Sequence, residues 1–139
     1  MCFSTTTRIV RMLDTTPMSC AILDNDQEYL THLDKVLDDL GFSVSSFLNG
    51  NDFVQEYKSR RFDVVVVSWD IQPTSGGMVV ESIRHRGGPY PSLVVACDGG
   101  ASVSFQLALS PAGFLFKPYS AQQLMDVLEK AVRIRNELS

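Results

Sequence analysis

The sequence predicts an α/β protein: a parallel sheet with helices packed on both faces. Three observations point there. Short apolar runs alternate along the chain with segments of helical periodicity. Runs such as Val64–Val67 are apolar at successive positions, as strands buried on both faces require. The runs end in polar or acidic residues, where the chain would leave the core.

Residues 1–17 are Thr-rich, lack a period and end at Pro17, and read as an N-terminal tail; residues 18–139 read as one domain. "SCAIL" (19–23) is the first strand, and "DND" the loop after it. Asp26 can cap a helix whose Leu30, Leu33, Leu37 and Leu40 recur at helical spacing. Gly41 suits the left-handed stop that follows. "FSVSSFL" (42–48) is the second strand and "NG" (49–50) a turn. Phe53, Val54 and Tyr57 mark the inner face of a short helix. "DVVVVSW" (63–69) is the third strand, "DIQPTSGG" a loop of turn formers, and "MVVESIRHR" the third helix, closed by "GGPYP". "SLVVAC" (92–97) is the fourth strand. "DGGASVSFQLALS" gives a loop and a fourth helix weak in strong helix formers. "GFLF" (113–116) is the fifth strand. Ser120 can cap a last helix that buries Leu124, Val127, Leu128 and Val132.

Bulk composition narrows the function. Apolar residues make up 45% and charged residues 20% of 139, ordinary for a globular domain. Twelve Lys and Arg against sixteen Asp and Glu leave a net charge of −4, which argues against a nucleic-acid grip. The basic residues are scattered, with one knot at Lys58, Arg60 and Arg61. No apolar run approaches the roughly 20 residues of a membrane span, and the first residues make no secretory signal. Cys2, Cys20 and Cys97 form no CxxC and leave an odd count, so a cytoplasmic setting is expected.

In a parallel sheet of this kind the working site lies at the carboxyl ends of the strands. That rule gathers Asp24, Asn25 and Asp26 from the first loop, and Ser68, Trp69 and Asp70 from the end of the third strand. Ala96, Cys97 and Asp98 come from the fourth strand, and Lys117 with Pro118 from the fifth. Clustered acids favour a hard divalent cation such as Mg²⁺. A lysine facing them suits a phosphoryl oxygen, and a carboxylate there can be the nucleophile that accepts a phosphoryl group.

"AILDND", "LDDLGFSVSSFLNG", "FDVVVVS…P…GG" and "FLFKP", in that order, resemble a response-regulator receiver domain, the flavodoxin-like module of two-component signalling. The resemblance covers about residues 18–137. It implies a doubly wound five-stranded sheet of order 2-1-3-4-5 in a three-layer sandwich, and a cis Lys117–Pro118 bond. It also implies a phosphoacceptor Asp, Mg²⁺ held by acids, a switch hydroxyl at the end of the fourth strand and an aromatic switch residue in the fifth. Those switch positions fall on Ala96 and on Phe114, whose apolar ring favours an inward, buried place. Lys117 takes the place of the family's pocket lysine.

The acceptor position is where this sequence departs. In the family the acceptor lies five residues after the Asp opening strand three and four before the loop Pro. Counting from Asp63 lands on Ser68, and counting back from Pro73 lands on Trp69. Reaching Asp70 requires a bulge before it and a shortened loop after it. The paired acids of loop one fall on Asp24 and Asn25, so Asp26 would have to supply the second carboxylate, unless it is only a helix cap. Ala96 lacks the switch hydroxyl. Trp69 reads as packing at the pocket rim, Cys97 as core, and His32 and His85 as surface residues.

Two principal readings follow. In one, the chain is a degenerate, or pseudo-, receiver. It acts through protein contacts and not through an Asp phosphorylation cycle, and it is not an enzyme. In the other, Asp24, Asp26 and Asp70 hold Mg²⁺, Asp70 takes the phosphoryl group and Lys117 neutralises the developing charge. The expected partners are proteins: a histidine kinase, a downstream effector, or a second copy joined through the fourth helix, fifth strand and fifth helix. No nucleic acid or membrane is expected. The last helix ends at "RIRNELS" without an appended module, so output is expected through a protein contact. A distant alternative is a flavodoxin-fold cofactor binder, but the chain has no phosphate-binding glycine loop.

Overall fold

A computed structural model describes residues 17–98 and 111–138. The expected tail lies outside the described residues except for Pro17, and the expected fourth helix lies outside them too. Strands β1 (Ser19–Leu23), β2 (Ser43–Phe47), β3 (Val64–Ser68), β4 (Ser92–Asp98) and β5 (Gly113–Lys117) form one parallel sheet of order β2-β1-β3-β4-β5. Helices α1 (Gln27–Asp39), α2 (Gly50–Tyr57), α3 (Gly76–Arg86) and α4 (Ala121–Leu138) complete the described elements.

The unbroken valine run has a direct physical reason. Successive side chains of a strand point to opposite faces. Val64 and Val66 join the layer built by Leu30, Leu33 and Leu37 of α1 and Leu124, Leu128 and Val132 of α4. Val65 and Val67 join the opposite layer with Phe53 and Tyr57 of α2 and Val79, Val80 and Ile83 of α3. Cys20 and Ile22 alternate with Ala21 and Leu23 in the same way, as Val94 and Ala96 do with Leu93 and Val95. Strands with unbroken apolar runs, residues 20–23, 64–67 and 93–97, therefore sit at the centre of a three-layer sandwich.

The helix ends follow local chemistry. Asp26 accepts from the backbone N–H groups of Glu28 and Tyr29 at 3.0 and 3.3 Å and caps α1. Gly41 then takes φ 96°, a left-handed turn that a Cβ would strain. Ser120 and Gln123 exchange bonds at 2.8 and 3.1 Å at the head of α4, a reciprocal cap. Gly76 opens α3 against Trp69: a Cβ there would stand 2.7 Å from the indole Cε3, so only glycine lets the ring lie on the helix end. The Lys117–Pro118 bond is cis.

One expectation fails. Phe114 is 40% exposed and is not buried. β5 is an edge strand, and α4 packs on the face that carries Leu115. Phe114 and Phe116 point to the opposite face, where α2 and α3 pack on the inner strands.

Candidate functional site

Register and parity assemble the site. Ser68 pairs with Ala96, and Ala96 with Leu115, so the ends of β3, β4 and β5 lie abreast. Asp24 follows Leu23, which pairs with Val67, and so comes level with Ser68. Lys117 lies two residues beyond Leu115 and shares its face. Its side chain reaches back across the end of β4, where Ala96 presents only a methyl group. A lateral step between neighbouring strands is roughly 4.8 Å, so the length of a lysine suits that crossing.

The result is a chain of charge-assisted bonds. Lys117 Nζ donates to Asp24 Oδ2 at 2.6 Å and to Ser68 Oγ at 2.9 Å. The Ser68 hydroxyl in turn donates to Asp70 Oδ1 at 2.7 Å. Asp24 Oδ1 accepts from the Asp26 N–H at 3.0 Å, so both oxygens of Asp24 are engaged. The Asp24 side chain is 10% exposed and that of Lys117 22%. Ser68 is 2% exposed, whereas Asp70 lies exposed on the rim. The ammonium also lies 5.0 Å from the Tyr29 ring centroid, an added cation–π contact. Tyr29 and Tyr119 pack edge to face at 5.9 Å, and burial, then Asp24, pushes the Tyr119 phenol up.

Of the residues singled out from sequence, Asp24, Ser68, Asp70 and Lys117 meet in this network. Among the described residues, the ion pair of Lys117 is with Asp24. Asp26 turns its carboxylate to the N–H groups of its own helix. Trp69 packs against the α2–α3 layer, and its backbone N–H donates to the Ala96 carbonyl at 2.8 Å. Cys97 is buried, and His32 and His85 are exposed. Among the described residues no group of three or more His, Cys, Asp or Glu side chains is gathered as the ligands of a metal ion would be.

Sequence reasoning missed what Asn25 does. Its amide donates to the carbonyls of Leu48 and Gln72 at 2.7 and 2.9 Å and accepts from the Gln72 N–H at 3.0 Å. One side chain thus ties the first loop to the end of β2 and to the loop after β3. A carboxylate has no donors and could not bond those two carbonyls. Asparagine beside the acids was the available signal, but its contacts are 23 and 47 residues away.

Known proteins agree with this architecture. A family model of the response regulator receiver domain matches residues 20–129. The transcriptional regulatory protein TdiR of Thauera aromatica is 25% identical over 119 residues, 85% of this chain and 52% of that protein. FixJ of Bradyrhizobium diazoefficiens is 24% identical over 113 residues, 81% of this chain and 55% of that protein. The chain thus spans about half the length of these relatives. Among solved structures, a CheY-like receiver domain of Methanospirillum hungatei JF-1 superposes with a TM-score of 0.79 at 15% identity, covering 89% of this chain and all of that one. The receiver domain of the sensor histidine kinase PA1611 of Pseudomonas aeruginosa PAO1, solved with a magnesium ion in its active-site cleft, superposes with a TM-score of 0.74 at 16% identity over 85% of this chain and 99% of that one. The strand order, the lysine-ended β5 and the family match lead to one conclusion: the chain belongs to the response-regulator receiver family of two-component signalling.

Proposed function

We propose that this receiver domain has a degenerate phosphorylation pocket and signals through protein contacts, without an aspartyl-phosphate cycle and without enzymatic activity. One observation carries the reading: the side chain at the end of β3 that receives the Lys117 ammonium is the Ser68 hydroxyl and not a carboxylate. A serine hydroxyl forms no acyl phosphate. The Mg²⁺ that the family implies does not fit the residues present. Asp24 is engaged by Lys117 and by the Asp26 N–H, Asp26 caps α1, and Asn25 is neutral. The ammonium is the resident cation in this reading, balancing Asp24 where a divalent ion would otherwise be needed.

The partners in this reading are proteins, a histidine kinase or a downstream effector, and the relatives that are transcriptional regulators support an output of that kind. A homodimer through the face of the expected fourth helix, β5 and the last helix belongs to the same reading, and the exposure of Phe114 and Phe116 on β5 supports it. A cytoplasmic setting is proposed with it; no described helix is long and apolar enough to cross a membrane.

A second reading, phosphorylation on Asp70, has one observation in its favour: the exposed Asp70 carboxylate is hydrogen-bonded to the pocket through Ser68. Incubation with a small acyl phosphate and Mg²⁺, followed by intact mass, separates the two. The degenerate pocket predicts no phosphoryl adduct. An adduct that Asp70→Asn abolishes would establish the second reading.

A further inference from the structure

The remaining surface carries one concave feature of a different character. Between α2 and α3, on the face opposite α1 and α4, lies a cavity of about 300 Å³ lined by Val54, Tyr57, Lys58, Ser82, His85 and Arg86. Its size suits one apolar side chain with room around it. Tyr57 is 2% exposed and Val54 half-buried, so the floor is hydrocarbon.

Cations crowd the end of this groove. Arg86 Nη1 donates to the carbonyls of Tyr57 and, at 2.8 Å, of Arg60. Its guanidinium lies 4.8 Å from the Tyr57 ring centroid. Arg61 Nη1 donates to the carbonyls of Gly87 and Pro89 at 3.0 and 3.1 Å, and Lys58 Nζ to Gln55 at 3.3 Å. The flanking acids are already engaged on their own helices: Glu56 pairs with Arg60 at 3.6 Å and Glu81 with Arg84 at 2.9 Å. Among the described residues no carboxylate pairs with Lys58, Arg61 or Arg86. A local excess of positive charge therefore borders an apolar cavity in a chain whose net charge is −4.

We propose that the α2–α3 groove docks an acidic peptide segment of a partner protein, with one apolar side chain of that segment seated in the cavity and its carboxylates on Lys58, Arg61 and Arg86. Charge complementarity selects the acidic partner, and the cavity selects an apolar anchor between the acids. A nucleic acid suits the groove less well, since the aromatic ring on its floor is covered and offers no stacking platform. This surface is separate from the Lys117 pocket, and the inference stands whether or not that pocket is degenerate.

The test is fluorescence anisotropy of the full chain with a labelled peptide of glutamates around a central leucine, beside its twin carrying serine at the centre. The leucine peptide is expected to bind at least about tenfold more tightly than its twin. Lys58→Glu is expected to weaken it by about tenfold or more, and added salt to weaken it further. Ser82→Leu, which fills the cavity, is expected to erase the preference for leucine, with circular dichroism verifying the fold of each variant. Absence of binding, equal binding of the two peptides, indifference to Lys58→Glu, or displacement by a single-stranded oligonucleotide at the same concentration as by unlabelled peptide would each overturn the proposal.

Discussion

Replacing Lys117 by methionine isolates the bond on which the pocket is built. Methionine keeps the unbranched stem but removes the ammonium, leaving Asp24 without its ion pair and Ser68 Oγ without its donor. Breaking a fully buried pair from one side costs about 3–5 kcal/mol. Here Lys117 is 22% exposed and water reaches the vacated oxygen, so the lower part of that range applies. The lost bond to Ser68 adds about 1 kcal/mol. The expected loss is about 4 kcal/mol, a large share of the stability of a domain this size. Asp24→Asn alone is expected to cost about 2 kcal/mol, and the double variant less than the sum, with a coupling of about 1–2 kcal/mol. Urea unfolding followed by Trp69, the sole tryptophan, reads all four corners of the cycle. A Lys117→Met cost below about 0.5 kcal/mol, or a coupling near zero, would refute the claim that the ammonium is held inside the pocket.

Three further outcomes follow. Asn25→Ala removes three hydrogen bonds that join separate segments and is expected to destabilise by about 2 kcal/mol, with faster amide exchange at Gln72 by NMR. Gly76→Ala sets a methyl group against the indole and the Trp69 backbone and is expected to cost about 1–3 kcal/mol and shift the tryptophan emission. Burial, then the charge of Asp63, pushes the Cys20 thiol from 9.0 up to about 12. The unfolded chain therefore loses this proton first as pH rises. Stability should fall above about pH 9, by up to about 1.4 kcal/mol per pH unit, and Cys20→Ala should flatten that part of a pH series of urea melts.

Most of the fold could be read from residues because its determinants are local or periodic. The valines of β3 announce a strand covered on both sides, and the leucines of α1 an amphipathic helix that Asp26 and Gly41 bound. The strand order came by resemblance and not from periodicity, since pairing partners are remote in sequence. Phe114 was misread because an aromatic on an edge strand looks the same in sequence as one on a central strand.

The pocket was legible as a set of residues but not as an arrangement. Ser68, Trp69 and Asp70 are consecutive, and a one-residue change of register exchanges the faces on which they lie. Counting left Ser68 and Trp69 open; the pairing of Ser68 with Ala96 and the reach of Lys117 put Ser68 beside the ammonium. Asp26 carried two candidate roles, cap and ligand, and the dihedral angles of the first helical turn decide where its carboxylate goes. Asn25 read as a lost acid because its three bonds reach segments that no local pattern connects.

The sharpest measurement compares the intact protein with Ser68→Asp, each incubated with a small acyl phosphate and Mg²⁺ and weighed by mass spectrometry. If Ser68 fills the acceptor position, the parent chain stays unmodified and the variant gains a phosphoryl adduct, because the added carboxylate beside Asp24 supplies the acid that a divalent ion lacks in the parent pocket. A parent chain that takes up phosphate on Asp70, with no further uptake in the variant, would contradict it.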